Sequence, residues 1–305
     1  RFILAGLSAS MPHVVNGREL ITGNALAPTS GTIAVGVGGI IGVGIRSFVG
    51  GGDTGSQVVL VAAIVSFVVA SFLATRLAAH ALGPDHGAPV DTLASVARGL
   101  VLGARTLWDQ VPARNIMVTI IVNRFVFGVL TAGALLVVRG SLHPPSDVDA
   151  ALNDFVLATA GAAVGAFLGA VVTPTMTRRI GTGPWVGLVM VQGAVIGFGL
   201  LTATAITPKL VTLVAGAASI GLAGQSVKVC ADTVLQRSIP DDRLGRVFAL
   251  FDMIVNIALV TGITATAFAS PISGQFTGGY LICAALLVLA AWWFRRSTQS
   301  PAQRS

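Results

Sequence analysis

The chain has 305 residues, 54% of them hydrophobic and only 10% charged, with a formal net charge of +7 and a mean hydropathy of +0.85. Soluble domains carry about 25% charged residues, so this composition cannot cover a water-facing surface, and an ordinary soluble protein is excluded. The two cysteines and four scattered histidines lack metal-ligand spacing, and neither a phosphate loop nor a nucleophile–base pair is found. The expectation is of no metal, no cofactor and no enzyme, with Cys230 and Cys283 as small buried thiols.

The chain opens at Arg1 on an apolar run over 2–15. About 20 residues are needed to cross the hydrocarbon, so this run reads as half a helix whose start lies upstream. It has no signal-peptide pattern. Eight full spans follow, at 22–45, 56–76, 114–138, 152–177, 184–205, 209–235, 246–270 and 276–294, each bounded by charge or turn residues such as GGGDTG, HPPSD and SPISG. The fold class expected is an all-α polytopic membrane protein.

Between the second and third spans, residues 80–113 begin with Gly and Pro and continue in a helical pattern. Leu93, Val96, Leu100, Val101, Ala104, Leu107, Trp108 and Val111 recur at three- and four-residue steps, with Arg98, Arg105 and Asp109 on the other side. This predicts an amphipathic helix lying at the membrane surface.

Orientation follows from the loops. With Arg295, Arg296 and Arg304 in the cytoplasm, thirteen of the nineteen Lys and Arg fall on the cytoplasmic side, and only Arg46, Arg139 and Lys209 fall outside. All four tryptophans, at 108, 185, 292 and 293, also fall at the cytoplasmic interface. The positive charge therefore reads as topology, with the lipid bilayer as partner and no nucleic acid.

Residues 225–252 hold eight of the 31 charged residues. Within them, VLQRSIPDDRLGRVFALFD resembles a loop of major facilitator superfamily transporters, closest to the bacterial drug- and siderophore-exporter branch. The matching positions are Asp232, Gln236, Arg237, Pro240, Gly245, Arg246 and Val247, with Leu244 where the pattern often has Arg. SMPHVVNGRELITGNALAP at 10–28 is similar to the family's loop between helices four and five. The run GVGGIIGVG lacks the exporter motif's Pro, and TPTMTRRIG lacks the Asp of the superfamily's basic hairpin.

The resemblance implies a partial twelve-helix fold, truncated at its N-terminus. Residues 1–79 would be the remnant of an N-terminal bundle, 80–113 a cytoplasmic linker, and 114–305 a six-helix C-terminal bundle. A weak internal match of RELITGNAL to DRLGRVFAL, offset by roughly 224 positions, fits two parallel halves. It also implies a bacterial inner (plasma) membrane location with the C-terminus in the cytoplasm.

Ionisable and amide side chains at membrane depth mark pathways or interhelical bonds. Asn123, Arg124, Gln225 and Asn256 are the candidate substrate pathway. Lys228, Asp232, Arg243, Arg246 and Asp252 are a candidate cytoplasmic charge cluster or gate. Lys228–Asp232 fits a structural ion pair equally well, and Asn256 and Gln225 fit interhelical bonds. Gly161, Gly165 and Gly169 read as close helix packing. The function expected is alternating-access transport, with proton-coupled export of a small organic molecule implied by the resemblance. A non-transporting sensor or scaffold is the alternative.

Overall fold

The computed structural model describes residues 10–12, 14–16, 19–49, 53–76, 93–144, 146–271 and 273–298. The short run expected over 2–15 and the start of the linker, 80–92, lie largely or wholly outside them. Among the described residues, the regular structure is helical: α1 (Leu20–Val49), α2 (Asp53–Ala74), α3 (Leu93–Asp109), α4 (Val111–Val137), α5 (Val148–Ile180), α6 (Thr182–Gln192), α7 (Gly199–Ile206), α8 (Leu210–Ser238), α9 (Asp241–Ala269) and α10 (Thr277–Thr298).

Seven spans among the described residues are long and apolar enough to cross a membrane. They correspond to the expected segments from 56–76 onward, and the segment 22–45 falls within the 30-residue α1. The protein is a multi-pass membrane protein. Unpaired backbone groups cannot be left in hydrocarbon, and helices satisfy them within the segment.

Helices run longer than the apolar segments and the connections are correspondingly short. Gly181 alone joins α5 to α6, at a φ of 87° that favours glycine. Only Ile239 and Pro240 join α8 to α9. The charged stretch expected as a loop is therefore two helix ends: Asp232, Gln236 and Arg237 finish α8, and Arg243, Gly245 and Arg246 begin α9. Hydropathy ends a segment where charge starts, whereas the helix itself continues into the headgroups.

Two π-helical stretches widen the turns: Val138–Leu142 extends α4, and Gly193–Phe198 joins α6 to α7. Pro174 sits inside α5 and leaves the Ala170 carbonyl, one turn earlier, without its helical N–H donor. Proline is tolerated in membrane helices, where local adjustments of the helix and its neighbours meet the freed group.

Glycines set the packing. A β-carbon on Gly165 would overlap the Ala218 carbonyl oxygen, and one on Gly221 would overlap that of Ala162. Gly161 and Gly169 face Val214 and Leu222 on the same helix, α8. The expected small-residue face is thus the α5–α8 contact. A second pair repeats the device, with Gly128 against Leu259 and Gly262 against Phe125, drawing α4 onto α9. In lipid, where apolar side chains gain little by leaving the solvent, such close backbone approach drives association.

α10 completes the bundle against α4, α6 and α7. At one end Arg295 covers Gly187. At the other, Ser141 donates to the Ser273 carbonyl at 2.6 Å, and His143 meets Asp154 at 2.7 Å. Gly274 has a φ of 73° and presses onto the backbone of Leu136 and Val137. Of the tryptophans, Trp108 and Trp292 are exposed, and the Trp292 ring carries the Arg296 guanidinium at 4.1 Å. Trp185 instead is buried and donates to Thr173 at 3.1 Å, so its ring packs inside the protein and not at the lipid interface.

α3 is helical as expected, but its docked face is not the bulky one. Leu107 is buried and Leu100 half-buried, whereas Val101, Ala104, Trp108 and Val111 are exposed. The side chains of Leu93, Val96 and Arg98 lie outside the described residues. Gly99, Gly103 and Thr106 take the contact with α9, because small residues let the long arginines of α9 approach.

Candidate functional site

The polar side chains singled out on α4 and α8 lie where those helices pack together. Asn123 is 1% exposed, and its Oδ1 faces Gly224 without a hydrogen bond inside the protein. One residue on, the Gln225 amide nitrogen is likewise buried without a protein partner. An acceptor and a donor left in this state each cost about 1–3 kcal/mol unless water or a ligand meets them. Arg124 is half-buried and engaged in an interaction of its own.

One turn further along α8, Lys228 Nζ donates to Asp232 Oδ2 at 2.5 Å. The lysine side chain is 32% exposed and the aspartate 6%. The second carboxylate oxygen, Oδ1, is buried with no protein partner. The spacing of four places both groups on one helix face, as the sequence predicted.

The rest of the expected charge cluster is divided. Arg243 donates Nη1 to Thr106 Oγ1 of α3 at 3.1 Å, and Arg246 runs over Gly99 and Gly103. These two arginines therefore hold the linker helix. Asp252 is half-buried on α9 and also makes an interaction. Asn256 donates Nδ2 to the Asp252 carbonyl at 2.6 Å within its own helix. Of the two roles open for it, that bond is neither an interhelical bond nor a contact to the pathway.

Sequence reasoning missed the strongest polar junction. Asn24 on α1 donates Nδ2 to Gln236 Oε1 at 2.5 Å and to Thr233 Oγ1 at 3.1 Å. Gln236 returns Nε2 to Asn24 Oδ1 at 3.2 Å. All three residues are buried, at 4%, 7% and 1% exposure for Asn24, Gln236 and Thr233. The two amides thus exchange hydrogen bonds across 212 residues of sequence, and Gln236 stands one helical turn beyond Asp232. Asn24 and Gln236 stand in the two stretches that carry the family resemblance, which is the signal that could have paired them.

No protein-family model matches the chain. It is 30% identical over 281 residues to two proteins described as uncharacterized MFS-type transporters, from Mycobacterium bovis and Mycobacterium tuberculosis. That match covers 90% of this chain and 61% of each relative, so the chain spans about three fifths of their length. A solved structure, a bacterial homologue of the iron transporter ferroportin in an outward-facing state, superposes with a TM-score of 0.62 at 16% identity, over 95% of this chain and 66% of the other. At that identity the likeness concerns the fold. Over most of its length the chain is thus similar in sequence to proteins described as MFS-type transporters, and similar in fold to a bacterial homologue of ferroportin.

Proposed function

We propose that this chain is the larger part of a secondary active transporter that works by alternating access on a small organic solute. In this reading α1 and α2 belong to an N-terminal bundle, and α4 through α10 form the C-terminal one. Residues 80–113 link the two at the cytoplasmic face. Rocking of the bundles would expose a midplane site to one side and then the other. The export direction and proton coupling rest on the resemblance to the drug- and siderophore-exporter branch alone.

The observation that carries the reading is the buried exchange of hydrogen bonds between Asn24 and Gln236, with Thr233. It joins α1, in the first of these bundles, to the last turns of α8, in the second. A junction of that kind closes the cytoplasmic end while the other end is free to open. Asp232 and Lys228 sit about one and two turns deeper on the same helix and would steady the closed end. Asn123, Arg124 and Gln225 lie deeper still, where a solute would meet unsatisfied amides and a guanidinium.

The test is solute flux in proteoliposomes made with the full-length protein. Arg124→Ala and Asn123→Ala are expected to lower flux at unchanged folding. Gln236→Ala is expected to shift the protein toward cytoplasmic opening, read as faster labelling of a cysteine introduced at Gly224. Unchanged flux in Arg124→Ala removes that residue from the pathway. A well-folded protein that moves no solute would favour a sensor or scaffold.

A further inference from the structure

We propose that α3, together with Arg105, Arg114 and Arg246, forms a docking surface for anionic phospholipid headgroups. The helix has three faces. Gly99, Gly103, Thr106 and Leu107 are turned to the protein, where they meet α9. From Gly99 to Thr106 is about 10 Å along α3, yet these positions meet arginines only three residues, about 4.5 Å, apart on α9. α3 therefore crosses the end of α9 obliquely and does not extend its bundle lengthwise.

The second face is apolar and uncovered, with Val101 56% and Trp108 63% exposed, and Val111 at the start of α4 is 46% exposed. Gln110 alone separates α3 from α4, which crosses the membrane. That short tie holds the apolar face near the depth of the headgroups, where a water-facing position for valine and tryptophan is unfavourable. The third face is polar, carrying Arg105 and Asp109.

Charge identifies the occupant. The Arg114 guanidinium lies 5.7 Å from the centre of the Trp108 ring, at the edge of the apolar face. Arg105 is exposed beside that face, with Asp109 as the neighbouring exposed carboxylate, whereas Arg246 is exposed on the side of α3 that meets α9, with Asp241. An apolar stripe bordered by net positive charge, held at the membrane surface, is complementary to a phosphodiester with its acyl chains below. Guanidinium groups bind phosphate oxygens through two parallel N–H donors.

The experiment uses the full-length protein in phosphatidylcholine vesicles doped with spin-labelled phosphatidylglycerol or spin-labelled phosphatidylcholine. The motionally restricted fraction is expected to favour phosphatidylglycerol several-fold. That preference should fall toward equal restriction of the two lipids in each of Arg105→Gln and Arg114→Gln and hold in Arg178→Gln/Arg179→Gln. A nitroxide at Val101→Cys should be more accessible to oxygen than to a water-soluble nickel complex, the native Cys230 and Cys283 being buried at 0% and 2% exposure. Equal restriction of both lipids overturns the proposal, as does an equal loss in the Arg178/Arg179 control. So does a Val101 label that sits in water until a soluble protein covers it.

Discussion

At the scale of single residues, the most demanding positions are glycines. Gly165→Val and Gly221→Val each force a side chain into a carbonyl oxygen of the facing helix. Either is expected to cost about 1–3 kcal/mol or more, read as a lower unfolding temperature in detergent. Gly245→Ala is the control: open space surrounds that position on α9, and alanine in a helix is favoured over glycine by about 1 kcal/mol. A drop in stability there as large as at Gly165 would refute the packing account. The periodicity of Gly161, Gly165 and Gly169 made this contact legible, because close approach needs only a small residue at each turn. Gly221, which meets Ala162 in that contact, and Gly262, which meets Phe125 between α9 and α4, were not singled out. One glycine within an apolar segment has no spacing to declare which neighbour it will touch.

The Lys228–Asp232 pair was legible for the same reason of spacing, but its role was not. Lys228→Met strands an aspartate that is 6% exposed, and removing one partner of a buried pair costs about 3–5 kcal/mol. The double variant Lys228→Met/Asp232→Leu leaves no lone charge and is expected to regain most of the loss. If that double variant folds and still transports, the pair is structural. If it folds and flux disappears, the pair belongs to the gate.

At the scale of elements, the charged stretch over 225–252 shows how far hydropathy reaches. It located the segment ends but mistook two helix termini for a loop, because arginines at the membrane surface interrupt apolarity without interrupting the helix. α3 shows the complementary gap. Its periodicity predicted amphipathicity correctly, but a pattern of apolar residues does not say whether protein or lipid covers them. Gly99 and Gly103 decided it by admitting the Arg246 side chain. Leucine at Gly103 is expected to displace α3 from α9, detected as a changed distance between spin labels at Arg105→Cys and Gly245→Cys, both exposed positions. An unchanged distance in Gly103→Leu would show that α3 is held elsewhere.

At the scale of the whole molecule, the helices after α3 include two glycine-clasped pairs, α4 with α9 and α5 with α8, and α10 is set against α4, α6 and α7. α1 adds itself through contacts with α5 and α8. The set of membrane-spanning helices was legible from the number and length of the apolar segments. The junction between Asn24 and Gln236 was not, since pairing over 212 residues is a property of the assembled chain. Asn24→Leu leaves the Gln236 amide without its partner and is expected to cost about 1–3 kcal/mol in thermal stability. Asn24→Leu/Gln236→Leu should cost less than the single change, and additive losses would mean that the two amides act independently.

The side chains of Asn24, Thr233 and Gln236 are electrically neutral. Dissolved ions have nothing to screen in the hydrogen bonds among them, so the strength of those bonds should hardly vary with salt. Each N–H···O lost on parting is replaced by one to water at small net cost. Hydration of a few ångströms of protein, and not ionic strength, would then set how readily these three side chains let go.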